Sequence, residues 1–326
     1  MSQGASAVLL VNTGTPTAPR AREVRQFLRR FLSDPRVVEL PRALWLPLLN
    51  GVILPLRAPR SARNYRRIWT DGGSPLAVFN AQLAAALDRE LQARQPGGWR
   101  VAHTYLYSEP GLPATLAALR SAGVHRIVVL PLYPQCSGTT TGAVHDQLAA
   151  TLRGWRRLPQ LRFIGDYHDQ PAYIDALAAS VREHAPQLQG GDTHLLLSFH
   201  GIPRRLVANG DDYERQCLAT ARLLAGRLAL PAQAWSLSFQ SRFGSAEWLG
   251  PPTDRRLREL AAGGTRRVAV LCPGFAVDCL ETLEEIAIGG REIFLHAGGE
   301  RFDYLPALND RVDHAAALAQ LVLAGH

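Results

Sequence analysis

"LLLSFHGIP", residues 195–203, carries apolar side chains without alternation up to a histidine and then turns at Gly201 and Pro203. An apolar run that does not alternate is what a strand covered on both faces of a parallel sheet looks like. In open parallel sheets, ligands bind beyond the carboxyl ends of the strands. A histidine in the last strand position, with the backbone turned away after it, therefore stands on the rim where a ligand would lie.

Similar runs recur outward from this one. "ASAVLLVN" (5–12), "VAHTYLY" (101–107), "RIVVLPLYP" (126–134) and "LRFIGDY" (161–167) precede it, and "WSLSFQS" (235–241), "RVAVLCPGF" (267–275) and "REIFLHAG" (291–298) follow. Each has the length of a strand. Between them lie segments with helical spacing, among them 21–32, 79–94, 111–123, 173–185, 213–229 and 253–264. Strand alternating with helix implies right-handed βαβ units and parallel sheets. The expected fold is α/β, with two Rossmann-like domains, each a four-stranded parallel sheet flanked by helices. The first domain is read as 1–165 and the second as 166–308, with a last helix at about 309–326 packing back on the first.

Composition narrows the chemistry. The chain has 326 residues, 47% of them hydrophobic and 20% charged, enough to bury two cores. No stretch reaches the ~20 apolar residues of a membrane span, and no signal peptide is read, so a cytoplasmic protein is expected. All 36 basic residues are arginine. Without a lysine there is no P-loop lysine for a phosphate and no Schiff base. The net charge of +8 permits anionic partners. The arginines are dispersed among acids with no aromatic interleaving, so nucleic acid is not expected. The cysteines Cys136, Cys217, Cys272 and Cys279 form no CxxC pair, which argues against a disulfide framework.

Four segments can carry function. In "CPGFAVDCLETLEEI" (272–286), Asp278 and Glu281 form a D-x-x-E pattern that reads equally as a helix cap. Glu281 and Glu285, four apart on one helix face, repel unless protons or a cation compensate them. With His200 from the neighbouring strand they suit proton transfer or a transition-metal ion in passage, not a structural zinc site. The Ser/Thr/Gly loop of "LPLYPQCSGTTTG" (130–142) lacks a G-x-G-x-x-G fingerprint, so a dinucleotide reading is weak. Finally, residues 42–67 are apolar from Ala43 to Leu56, interrupted by Pro47 and Pro55, and end in Arg57, Arg60, Arg63, Arg66 and Arg67. That is either an exposed apolar lip with a basic fringe, able to touch a membrane surface, or a buried hairpin of helices.

Taken together, "VNTGTP" (11–16), "GGSPL" (72–76), "LPLYPQ" (130–135), "SFHGIP" (198–203), "GDDYERQC" (210–217), "FQSRFG" with "EWLGP" (239–251) and "PGFAVDCLETLEEI" (273–286) resemble the blocks of the ferrochelatase family, proteobacterial type. The resemblance implies a lyase that inserts Fe2+ into protoporphyrin IX, releasing two protons and forming protoheme, the last step of heme biosynthesis. It implies an active site in a cleft between two domains and no nucleotide or redox cofactor. His200 matches the family's cleft histidine and Glu281 its glutamate, as catalytic and metal-contacting residues. Asp278 and Glu285 match a proton or metal path leading away. The apolar segment 43–56 resembles the porphyrin lip and a peripheral membrane contact. Arg57 matches an arginine near the propionates, and Tyr65, Ser74, Tyr133, Tyr213 and Trp248 match other porphyrin-contacting positions. Cys279 stands where animal relatives have a second histidine; at a helix start its thiol pKa is expected to fall. Animal relatives bind a [2Fe–2S] cluster through a cysteine-rich extension. With no cysteine after Cys279, none is expected here. Thr13 stands where a branch acting on coproporphyrin III carries a tyrosine, which favours protoporphyrin. The alternatives are a chelatase of the same fold for coproporphyrin III or another tetrapyrrole, and a heme carrier without turnover.

Overall fold

The computed structural model describes residues 6–244 and 246–324. They fall into two compact units, one running to Asp166 and resuming at Asp310, the other Tyr167–Asn309. Residue 5 of the first expected strand and residues 325–326 of the last expected helix lie outside the described residues.

In the first unit, β1 (Ser6–Asn12), β2 (Trp99–Tyr105), β3 (Arg126–Pro131) and β4 (Gln160–Phe163) form a parallel sheet in the order β2-β1-β3-β4. All seven residues of β1 are buried, as befits a central strand with helices on both faces. Val8 is in register with Val101 of β2 and Val128 of β3. Leu9, Val11, Ile127 and Val129 pack with Leu112 and Leu116 of the helix Leu112–Ser121 and with Val144 and Leu148 of the helix Thr141–Leu152. The sequence reading has no helix at 141–152. Its Ser/Thr/Gly stretch is the lead-in to that helix rather than a free loop. Arg162 of β4 donates to the carbonyls of Leu321 (2.9 Å) and Val322 (2.8 Å) at the end of the helix Val312–Leu323. A guanidinium there meets otherwise unpaired carbonyls at the negative end of the helix dipole.

Residues 42–68 of this unit are helical throughout, as helix Arg42–Leu48, π-helix Leu49–Ile53 and helix Leu54–Ile68. The prolines do not break the segment. Pro55 cannot donate to the carbonyl one turn back and its ring crowds it. The wide π turn just before it makes the room. Leu44, Leu48, Val52 and Leu56, four apart, are 73, 46, 50 and 74% exposed, and Arg60, Arg63 and Arg67 continue the exposed stripe. Trp45, Leu49 and Leu54 are buried. The segment is thus no buried hairpin: it is helical throughout, packed on one side, and apolar and open on the other.

In the second unit, β5 (Thr193–His200), β6 (Trp235–Gln240), β7 (Arg267–Leu271) and β8 (Arg301–Leu305) are parallel in the order β6-β5-β7-β8. This repeats the first unit's order. Leu196, Val268 and Val270 pack with Leu257 and Leu260 of the helix Thr253–Ala262 and with Ile286, Phe294 and Phe302. One expected strand is wrong. "REIFLHAG" lies largely in a helix, Arg291–His296, and β8 is the later "RFDYL". A short apolar run is ambiguous by periodicity, and this one simply extends the helical stretch that starts before it.

Candidate active site

The carboxyl end of β5 is held in place by its neighbour. His200 is in register with Gln240 of β6, and the Gly201 N–H donates to the Gln240 carbonyl at 2.8 Å. Only glycine fits next: a Cβ on residue 201 would lie 2.9 Å from that carbonyl and 3.2 Å from Trp248 Cε3. The strand therefore ends with the histidine half-buried at its rim. His200 Nδ1 is 2.6 Å from the Gly201 carbonyl. A carbonyl can only accept, so Nδ1 carries a proton and Nε2 is the nitrogen left to exchange one.

Two glutamates, Glu281 and Glu285, come from the π-helix Glu281–Gly290, and Glu285 lies within electrostatic reach of both His200 and Glu281. The expected α-helix is a π-helix, a form that concentrates at functional sites. Glu285 accepts from the Ser241 N–H at 2.7 Å and from Ser241 Oγ at 2.6 Å. Burial raises its carboxyl above the ordinary range; the two Ser241 bonds and the charge of His200 pull it back, and Glu281 adds to the rise. Those mutual effects put His200, Glu281 and Glu285 in one electrostatic cluster. Ser241 has φ +64°, a left-handed conformation that costs a non-glycine residue about 1 kcal/mol. That geometry aims both of its donors at one carboxylate.

Asp278 does not cap the helix in the expected way. It is 3% exposed and accepts from Thr282 Oγ1 (2.9 Å), Asn309 Nδ2 (2.8 Å), the Ala307 N–H (3.3 Å) and the Tyr304 hydroxyl. Its donors come from four residues outside the first-turn amides. Burial, and next the Asp278 charge, push the Tyr304 phenol up. Cys279 also departs from expectation. Its thiol pKa is raised, not lowered, because burial and the adjacent Glu281 both oppose a thiolate. Cys217 and Cys272 are likewise buried with raised pKa values.

The remaining candidates of this unit gather around His200. Tyr213, first residue of the helix Tyr213–Arg227, is 7% exposed, and its hydroxyl bonds the His200 backbone and Cys217. Trp248 bridges Pro203 through the backbone, and its ring closes over Gly201. The buried indole N–H has no hydrogen-bond partner among the described residues.

Beyond the carboxyl ends of β1 and β3, the first unit carries neutral groups. Thr13 Oγ1 and the Tyr133 hydroxyl are 2.8 Å apart, and burial raises the Tyr133 phenol. The Thr13 N–H donates to Asn12 Oδ1 at 2.7 Å, and Asn12 Nδ2 to Asn80 Oδ1 at 3.3 Å. Thr15 Oγ1 donates to Ser74 Oγ at 2.7 Å, and the Thr15 N–H to Ser108 Oγ at 3.1 Å. Ser74 is buried ahead of the helix Pro75–Arg94. Arg57 is half-buried and Tyr65 buried, both on the helix Leu54–Ile68, with Tyr65 edge-on to Trp69. The sequence reading missed Asn12, Thr15, Asn80 and Ser108 here, and Gln240 and Ser241 in the second unit. Gln240 and Ser241 do lie in the quoted "FQSRFG", but their side-chain partners are 32 to 44 residues away along the chain.

A ferrochelatase family model matches residues 5–325. The ferrochelatase of Thioalkalivibrio sulfidiphilus is 51% identical over 316 residues, spanning 97% of this chain and 85% of that protein. That of Aeromonas hydrophila is 50% identical over 317 residues, 97% of each. Among solved structures, SirB from Bacillus subtilis with Fe3+ superposes with a TM-score of 0.57 at 12% identity, covering 98% of this chain and 96% of that one. The sirohydrochlorin chelatase SirB from Bacillus subtilis subspecies spizizenii in complex with cobalt gives 0.51 at 12% identity, covering 97% and 93%. At such identity the structural likeness speaks for the fold alone, an α/β chelatase-type fold.

Proposed function

The chain belongs to the ferrochelatase family, metal-inserting lyases of heme biosynthesis that act on a porphyrin, and from that premise we propose that it inserts Fe2+ into protoporphyrin IX. The observation that carries the reading is the contact of His200 Nδ1 with the Gly201 carbonyl, which leaves Nε2 for chemistry. With Nδ1 committed to the Gly201 carbonyl, Nε2 is the ring nitrogen left for a proton or a metal, with Glu285 close enough to feel the ring's charge. Insertion exchanges two pyrrole N–H protons for one ferrous ion. A flat porphyrin gives up those protons reluctantly, so a base near the ring is required. His200 Nε2 takes a pyrrole proton, or holds the iron before transfer. Imidazole with carboxylate suits a divalent transition metal in passage. Glu281 is the second contact for the metal and the first carboxylate to receive a proton.

Protons then pass to Glu285, whose affinity for a proton is raised by burial. Asp278, held in place by four donors, completes the acidic row on the path away from His200. Arg57, Tyr65, Ser74, Tyr133 and Thr13 are proposed to receive the porphyrin, with Trp248 offering a ring face and an unspent N–H. Tyr213, buried beneath His200, acts by holding the histidine. The exchange is neither a redox step nor a nucleotide-driven one, so the proposal includes no resident cofactor and no [2Fe–2S] cluster. Among the described residues no helix is long and apolar enough to cross a membrane. The exposed stripe of residues 44–56, with arginines beyond it, supports a peripheral contact at the cytoplasmic face of a membrane.

The test is anaerobic incubation with Fe2+ and protoporphyrin IX, followed by absorbance, with coproporphyrin III in parallel. Rapid conversion of protoporphyrin is expected. Conversion of coproporphyrin III alone would overturn the substrate, and heme binding without conversion of either would make the protein a carrier.

A further inference from the structure

Gln240, the last residue of β6, and Ser241 just after it take no part in the chemistry proposed above, yet they contact both glutamates. Gln240 is 2% exposed. Its Nε2 donates to the Glu281 carbonyl at 2.8 Å. Its Oε1 accepts from Ser198 Oγ at 2.8 Å and from Cys272 Sγ at 3.4 Å. Because the Glu281 carbonyl only accepts and the hydroxyl and thiol donate, the amide has one orientation. Its backbone carbonyl takes the Gly201 N–H at 2.8 Å. One residue thus ties the strand end bearing His200, the end of β7 and the first residue of the π-helix. Ser198 is fixed in turn by Thr253 Oγ1 at 2.8 Å, which also bonds Ser238 Oγ at 2.9 Å. Next in the chain, Ser241 gives both its N–H and its hydroxyl to Glu285.

We propose that Gln240 and Ser241 are positioning residues that set the two glutamates against His200, Gln240 through the Glu281 backbone and Ser241 through the Glu285 carboxylate. The inference rests on the reading of His200, Glu281 and Glu285 as the reacting groups. Sequence spacing alone would leave the glutamates free to turn with their helix; the β6 end removes that freedom. A group that sets geometry without binding substrate lowers kcat and leaves the porphyrin KM in place. Supporting contacts of this kind at metal sites typically matter 10- to 100-fold.

The test uses the full chain with Fe2+ and protoporphyrin IX, with wild type and His200→Ala as references. Absence of turnover by wild type would overturn the reading and this inference with it. Given wild-type turnover that His200→Ala abolishes, Ser241→Gly comes first, because glycine accepts φ +64° freely and folding is not at risk. It keeps the N–H bond to Glu285 and loses the hydroxyl. A drop in kcat of roughly 3- to 10-fold at a porphyrin KM within about 2-fold is expected. Gln240→Met, which fills the space without polar groups, is expected to lose roughly 10- to 100-fold in kcat with the same KM behaviour. Should Gln240→Met fail to fold, Ser241→Gly decides alone. Folded variants with kcat within about 2-fold of wild type, or a rise confined to KM, would overturn the proposal.

Discussion

Beyond β1 and β3 of the first unit stand hydroxyls and amides bonded to one another: Thr13 to Tyr133, Thr15 to Ser74, Asn12 to Asn80. Beyond β5 and β7 of the second stand an imidazole and a row of carboxylates. The strand order, 2-1-3-4 counted within each unit, is the same. The fold therefore delivers strand ends to a rim twice, and the residues placed there make one rim neutral and the other titratable. Chemistry belongs to the site and not to the architecture. If the division is real, substitutions in the second unit should alter proton transfer, and those in the first should alter binding and stability.

The largest effect is expected from the second unit. His200→Ala and Glu281→Gln should each lower kcat by about 10²- to 10⁴-fold, the range for loss of a general base. Melting temperatures should stay close to wild type, since His200 is a half-buried end residue. Turnover close to wild type in either variant would break the comparison at its centre.

A stability effect of the first unit comes next. Gly14 has φ +100°, and a Cβ there would lie 2.3 Å from Ser108 Oγ and 3.0 Å from Tyr105 Cβ. Gly14→Ala combines backbone strain with overpacking, for a loss of about 2–4 kcal/mol by urea unfolding. A smaller loss would show that the β1 turn is less tightly packed than its neighbours imply.

The pH dependence of Glu285 separates the two rims more finely. Its folded pKa is raised by burial, so between the ordinary carboxylate pKa and the raised one the folded state holds more protons than the unfolded. Stability then falls as pH rises through that window and stays lower above it. Glu285→Gln removes the charge, so it should melt higher than wild type at pH 7.5, and the gap should close as pH falls from the raised value to the ordinary carboxylate one. An equal gap at every pH would mean that burial is not what holds this carboxyl.

The central strands were legible because burial on both faces leaves an unbroken apolar run: "SAVLLVN" and "THLLLSFH" are β1 and β5. β8 was not, since "RFDYL" carries charges at Arg301 and Asp303 and fully buries only Phe302 and Leu305, while the apolar "REIFLH" continues a helix. His200, Glu281 and Glu285 could be singled out as candidates from residue type and spacing. Gln240 and Ser241 could not be given roles, because an amide and a hydroxyl at the end of a strand acquire meaning only through partners that folding brings to them. The π-helix itself leaves no spacing signal, as carboxylates four apart share a face nearly as well in either helix.

The smallest expected effect tests whether the neutral rim is itself a network. Thr13→Val removes one partner of the Tyr133 hydroxyl and Tyr133→Phe removes the other. Each single variant leaves a polar group behind and should cost about 1 kcal/mol. The double variant leaves none, so it should cost less than the sum, with a coupling of roughly 0.5–1 kcal/mol in a urea double-mutant cycle. In turnover assays, the same variants should raise the porphyrin KM by about 5-fold or less, more than they lower kcat. Additive stabilities would mean that the two hydroxyls meet without depending on each other. A kcat loss comparable to that of His200→Ala would move proton transfer onto the neutral rim, and the division between the two sheets would then fail.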